Sequence, residues 1–217
     1  MFGRRKPVTA AREALGDPHF EVRHAHGVVR VEVPYDAAHW VRCPVVGEDR
    51  TAWRDRVLTA YDEDLGWVPD DPRRRGADGA LDRLADGGLE TPVNLVHLPV
   101  EAKDEVSLLW LDVADAERDL LERGETETWL RFHDDDLGSD ARVEEHPRGW
   151  RYSTRRVVDE RGSMMDHGRA AKLLTGREGT TVHLAASWLG LPRDHRAFPL
   201  SAVVRTRVLL EDGTVLE

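Results

Sequence analysis

Between Phe20 and Val33 the side chains alternate with a period of two. Phe20, Val22, His24 and His26 fall on one face, with Glu21, Arg23 and Ala25 on the other. After Gly27 the alternation resumes as Val29, Val31 and Val33 against Arg30 and Glu32. Such a pattern on both sides of a glycine predicts two half-buried strands joined by a turn or bulge, and a strand pair with one apolar face needs a second layer to cover it. The core that supplies this layer is restricted in its materials. The chain has no isoleucine and no glutamine, and 28 of its 31 basic residues are arginine, so valine and leucine provide the aliphatic packing. Such a bias is expected of a GC-rich bacterial genome, and it makes arginine the default cation, which lowers the weight of any arginine cluster read from sequence alone.

Further along, Trp53, Val57, Leu58, Tyr61 and Leu65 recur at helical spacing, predicting an amphipathic helix over 51–65 with Thr51 as N-cap and Gly66 past its end. Prolines and glycines then punctuate 66–92, which reads as a long, mobile surface excursion with room for one short helix around 80–85. Short strands are predicted at 93–98, 106–111 and 126–133, and a helix at 113–123 closed by Gly124. Residues 141–146 and 150–158 flank Pro147-Arg148-Gly149 as a hairpin, a short helix is expected at 170–175, and strands at 181–188 and 200–210 precede a turn at Asp212-Gly213. The 217 residues therefore predict a single α+β domain, a largely antiparallel sheet with two or three packed helices.

Charge divides the chain unevenly. Residues 101–140 hold fourteen acids and four bases, a net of −10 that equals the formal charge of the whole molecule. Phosphate binding needs a positive footprint, so nucleic acid is a poor partner, and a basic protein partner suits this segment better. On the helix expected at 113–123, Asp115, Asp119 and Glu122 follow one another at i, i+4 and i+7 and form the carboxylate ridge on which such a partner would dock. No apolar run approaches the roughly 18 residues of a membrane span, and the basic start, Met1 to Pro7, has no apolar stretch behind it. The expectation is a cytoplasmic, non-enzymatic binding or accessory protein that does not engage membranes.

An alternative rests on His24 and His26. Two residues apart on a strand, they face the same way at about 6 to 7 Å, from which both imidazoles can reach one divalent metal, as in a metal-dependent hydrolase; a catalytic zinc would need a third ligand, for which His97, His133 and His183 qualify by residue type. Asp134, Asp136, Asp140 and Glu145 match four ligand positions of a calcium loop, but Gly138 and Ser139 break the pattern. The single cysteine, Cys43, lies in an apolar stretch and reads as a buried thiol. Asp166-His167-Gly168 offers acid and base groups in a predicted loop. The nucleophile elbow, the P-loop, the dinucleotide fingerprint and the H-E-x-x-H motif are all absent from the sequence.

Overall fold

The computed structural model describes residues 19–24, 27–35, 40–44, 47–86, 93–98, 106–115, 125–133, 141–158, 164–176, 180–190 and 198–217. Within them, the alternating segment forms the expected hairpin of β1 (His19–His24) and β2 (Gly27–Glu32), with Phe20 opposite Val31 and Val22 opposite Val29. Gly27 opens β2 at φ +97°, a left-handed conformation that suits glycine. Strands β10 (Arg207–Leu209) and β11 (Val215–Leu216) extend this hairpin to a four-stranded sheet ordered β1-β2-β10-β11, and the Asp212-Gly213 turn joins the last two.

A seven-stranded sheet takes up most of the remaining chain. Its strands are β3 (Trp40–Arg42), β4 (Val93–His97), β5 (Ser107–Asp115), β6 (Glu144–Glu145), β7 (Arg151–Val158), β8 (Met164–Thr175) and β9 (Thr181–Leu189), in the order β3-β4-β5-β9-β8-β7-β6. The pairings in both sheets are antiparallel. One apolar cluster joins the inner faces of the two sheets. Phe20, Val29, Val31 and Val208 meet Leu95, Leu109, Leu111, Leu184 and Trp188, and α4 (Phe198–Val203) contributes Ala202 and Val203. Gly168 makes this packing possible, because a Cβ there would stand 2.0 Å from the Trp188 ring.

The other face of the large sheet is covered at its β3 and β4 end by two helices. In α1 (Arg50–Leu65) the predicted stripe is inward, with Trp53, Val57, Leu58 and Tyr61 buried, but the N-cap is Asp49, whose carboxylate accepts from the Ala52 N–H at 2.9 Å, rather than Thr51. Gly66 ends the helix at φ +63°. In place of a long excursion with one short helix, 66–92 contains the fifteen-residue α2 (Pro72–Asp86). Proline stands at its first position behind the capping Asp71, and Ala77, Ala80 and Leu81 are buried, with Ala77 and Leu81 packed into the cluster beneath α1. Arg73 and Arg74, in the run Arg73-Arg74-Arg75, bind Asp71 and Asp62.

Three other expectations change. Residues 126–133 are not a strand but α3 (Glu125–Leu130) and a turn; 170–175 are the end of β8, not a helix; and 198–203 are helical before β10 begins. The α+β class and the antiparallel sheets stand, while among the described residues the helical part amounts to one packed pair and two helices of six residues. Among the described residues no helix is long and apolar enough to cross a membrane.

Candidate functional site

Residues directly opposite one another in an antiparallel sheet share a face. The registers therefore align Asn94, Trp110, Ser187, Arg169 and Ser153 in one row across β4, β5, β9, β8 and β7, and Val96, Leu108, Leu189, His167 and Arg155 in the next. At one end of this face lie the α1–α2 pair; at the other, α3 crosses β7 and β8. The Ser153 hydroxyl donates to the Leu130 carbonyl, and Arg169 donates through Nη1 to the Trp129 carbonyl at 2.7 Å with its guanidinium 5.1 Å from the Trp129 ring.

The chain leaves α3 through a C-terminal motif in which Phe132 N–H donates to the Trp129 carbonyl at 3.0 Å and His133 N–H to the Thr128 carbonyl at 3.1 Å. The left-handed residue of such a motif is usually glycine. Here it is Phe132, at φ +60° and fully buried. Its ring is a platform for two guanidiniums, those of Arg155 at 4.3 Å and Arg169 at 4.4 Å, and the His167 ring meets it edge-on at 4.7 Å. A cation over an aromatic face is attracted by the ring quadrupole, more strongly where water is excluded, and Arg169 is only 7% exposed. Glu127 on α3 binds both Arg131 and Arg151. Two guanidiniums stacked on one ring and two bound to Glu127 thus gather around α3, in a molecule whose overall charge is −10.

Asp166 and His167 are strand neighbours and point to opposite faces of β8. Asp166 faces Arg156 at 3.8 Å, whereas His167 Nε2 lies 3.2 Å from Ser187 Oγ. Ser187 is 4% exposed and donates to the Gly168 carbonyl at 3.2 Å. The hydroxyl has one proton for two partners at the same distance, the Gly168 carbonyl and the imidazole, and the direction of the second contact follows the His167 tautomer. The pair fixes His167 beside Phe132.

Several of the other sequence candidates lie outside the described residues. Asp115 ends strand β5 instead of opening a helix, so it does not share a helical ridge with Asp119 and Glu122; its side chain and both of those residues lie outside the described ones. Of the fourteen acids in 101–140, the side chains described are those of Asp112, exposed, and Glu127, ion-paired. The His24 backbone pairs with Gly27 in β1, while its side chain and His26 lie outside the described residues. His97 is buried edge-on to Trp40, His183 is buried in β9, and His133 is exposed in the turn after α3 rather than on a strand. Among the described residues no group of three or more His, Cys, Asp or Glu is placed to hold a metal ion. Residues 134–140 of the calcium-like run are also outside, and Glu145 is exposed on β6. Cys43 is buried, and burial pushes its thiol far above the usual range, so the thiolate is disfavoured.

Sequence reading missed Phe132, Arg155 and Arg169 as a unit. The available signal was the alternation of Arg151, Ser153 and Arg155, but their partners on β8 come from the register alone.

No protein-family model matches the chain, and no curated protein matches it in sequence. Among solved structures, the chain is similar to LpqN, described as involved in cell envelope biogenesis of Mycobacterium tuberculosis. The identity is 10%, the match covers 92% of this chain and 91% of LpqN, and the TM-score is 0.42, a likeness that carries no argument about function.

Proposed function

We propose that the protein is a non-enzymatic binding protein that receives an acidic group of a protein partner on the arginine-aromatic face built by α3, β7 and β8. The observation that carries this reading is Phe132, a buried residue held in a left-handed conformation with two guanidiniums stacked on its ring. A non-glycine residue at positive φ costs on the order of 1 kcal/mol and is kept where the surroundings enforce it, which occurs disproportionately at functional sites. A guanidinium carries five donors in a planar fork, a geometry that matches a carboxylate.

The test uses a fluorescent peptide with a central Glu-Glu pair and the same peptide with Gln-Gln. The acidic peptide should bind at least about tenfold more tightly, and Arg155→Ala should remove most of that difference. Equal affinity for the two peptides would overturn the reading.

A second reading is carried by the confinement of the net charge to 101–140, which suits docking of a basic partner. Replacing Asp115, Asp119 and Glu122 together by Lys should abolish co-purification of such a partner, and undiminished recovery counts against docking there.

A further inference from the structure

At one end of the four-stranded sheet the β1–β2 hairpin meets the turn that follows β10. β1 ends at His24, and its last pair is His24 with Gly27, which leaves Ala25 and His26 to connect the two strands. On the other side of β2, Leu209 pairs with Arg30, and the chain then turns through Leu210 to Gly213, closed by the Gly213 N–H on the Leu210 carbonyl at 2.9 Å. The two carboxylates of that turn are placed differently. Asp212 accepts from the Thr214 N–H at 2.8 Å and so belongs to the turn itself. Glu211 extends to the hairpin, where a Cβ on Gly27 would stand 2.7 to 2.9 Å from its carboxylate. A glycine at that position is what leaves the carboxylate room.

His24 is the partner of Gly27 in the ladder and His26 is its neighbour along the chain, so the α-carbons of both stand within about 5.5 Å of the Gly27 α-carbon. The side chains of the two histidines lie outside the described residues, and their placement rests on these ladder and chain positions. One carboxylate thus lies beside the residue that both histidines adjoin, within the span that ligand side chains and two metal bonds of about 2 Å can bridge. Sequence spacing could not fix such a third ligand, because Glu211 comes from the far end of the chain and reaches the hairpin through the register of β10 on β2. Gly27 and Glu211 are exposed, so a cation has access from solvent. We propose that His24, His26 and Glu211 hold one divalent cation of the zinc type. Two imidazoles and a carboxylate are a ligand set that zinc accepts, and three protein ligands leave its fourth position to water or to a group from another molecule. The four-stranded sheet takes no part in the arginine-aromatic face of α3, β7 and β8, so this site is independent of the function proposed above.

The probe is zinc chloride, titrated by calorimetry into the full chain after chelator treatment and dialysis. One zinc per chain is expected. Glu211→Gln, which keeps the shape of the side chain and removes its charge, should weaken binding by about tenfold or more, and because Glu211 is exposed the melting temperature of the metal-free protein should not change. His24→Ala and His26→Ala should each weaken binding at least as much. His133→Ala, at an exposed histidine after α3, should leave affinity within about twofold, which separates this site from zinc held by surface histidines at large. Zinc should also raise the melting temperature of the wild type and not that of Glu211→Gln at the same concentration. Wild-type affinity in Glu211→Gln or in either His24→Ala or His26→Ala, loss of binding in His133→Ala, one zinc shared by two chains in a dimer, or no zinc binding at all would each overturn the site.

Discussion

The same face of the seven-stranded sheet is covered in two different ways. At the β3 and β4 end, α1 and α2 seal it with Val57, Leu58, Tyr61, Ala77 and Leu81 against Val41, Val96 and Leu98, and their charges are kept at the rim in pairs such as Arg54 with Asp78 and Arg74 with Asp62. At the β7 and β8 end the cover is a six-residue helix, a strained Phe132 and stacked arginines, of which Arg169 is buried. Apolar burial stabilises by roughly 25 cal/mol per Å² removed from water, whereas a buried cation must recover its hydration from its neighbours. The first end is therefore built for stability. The second holds charge in place at a cost in stability, which is the feature the proposed binding reading uses.

The largest expected effect is a loss shared by both ends. Gly168→Ala would drive a methyl into the Trp188 ring in the middle of the sheet, and neither the strand backbone nor the buried indole has room to yield. Destabilisation of about 3 kcal/mol or more is expected by denaturant titration, and a variant as stable as wild type would show that Trp188 can leave the inner core.

Next comes the contrast itself. Leu81→Ala, at a fully buried position beneath α1, should cost about 2 to 5 kcal/mol. Arg155→Ala, which removes one stacked guanidinium, should cost about 1 kcal/mol or less while impairing carboxylate binding. Equal losses of stability for the two variants would erase the distinction between a sealed end and a proposed binding end.

The way the sequence hides the second end has a physical cause. The β1–β2 hairpin, α1, the hairpin of β6 and β7, and β9 are legible because each has one dominant buried face, and so one dominant period. β8 is paired on both sides and buried on both faces near Ala170 and Ala171, so it loses its alternation; Ala-Ala-Lys-Leu-Leu then reads as a good helix, and tertiary pairing overrides that propensity. With β8 misread, the register that sets His167 opposite Arg155 and Arg169 opposite Ser153 is invisible, and with it the site. α3 fails for a second reason. Its stop signal is a phenylalanine where helices usually end on glycine. In α2 the signal was present, as Asp71-Pro72 followed by Ala77, Ala80, Leu81 and Leu84 at helical spacing, but Gly76, Gly79 and the arginine run obscured it.

The smallest effect separates the two ends by acid. The Asp71 carboxyl is held down to about 2, first by its side-chain hydrogen bond with Arg73 and then by the Arg73 backbone N–H, which it accepts at 2.9 Å as the cap of α2. Its folded-state value is below the ordinary 3.8, so its contribution is fully present above about pH 4 and is lost as the pH falls through 3.8 toward 2. The turn after α3 has no such dependence at its own bond, because the Phe132 N–H donates to the Trp129 carbonyl, a group that does not titrate in this range. Hydrogen exchange between pH 5 and 2.5, expressed as protection relative to the unstructured rate, should show the Arg73 amide losing protection before the Phe132 amide. Asp71→Asn, which keeps a capping oxygen without the charge, should flatten the Arg73 response. If both amides lose protection together in wild type, the two covers open as one cooperative unit, and the division of labour between them does not extend to local stability.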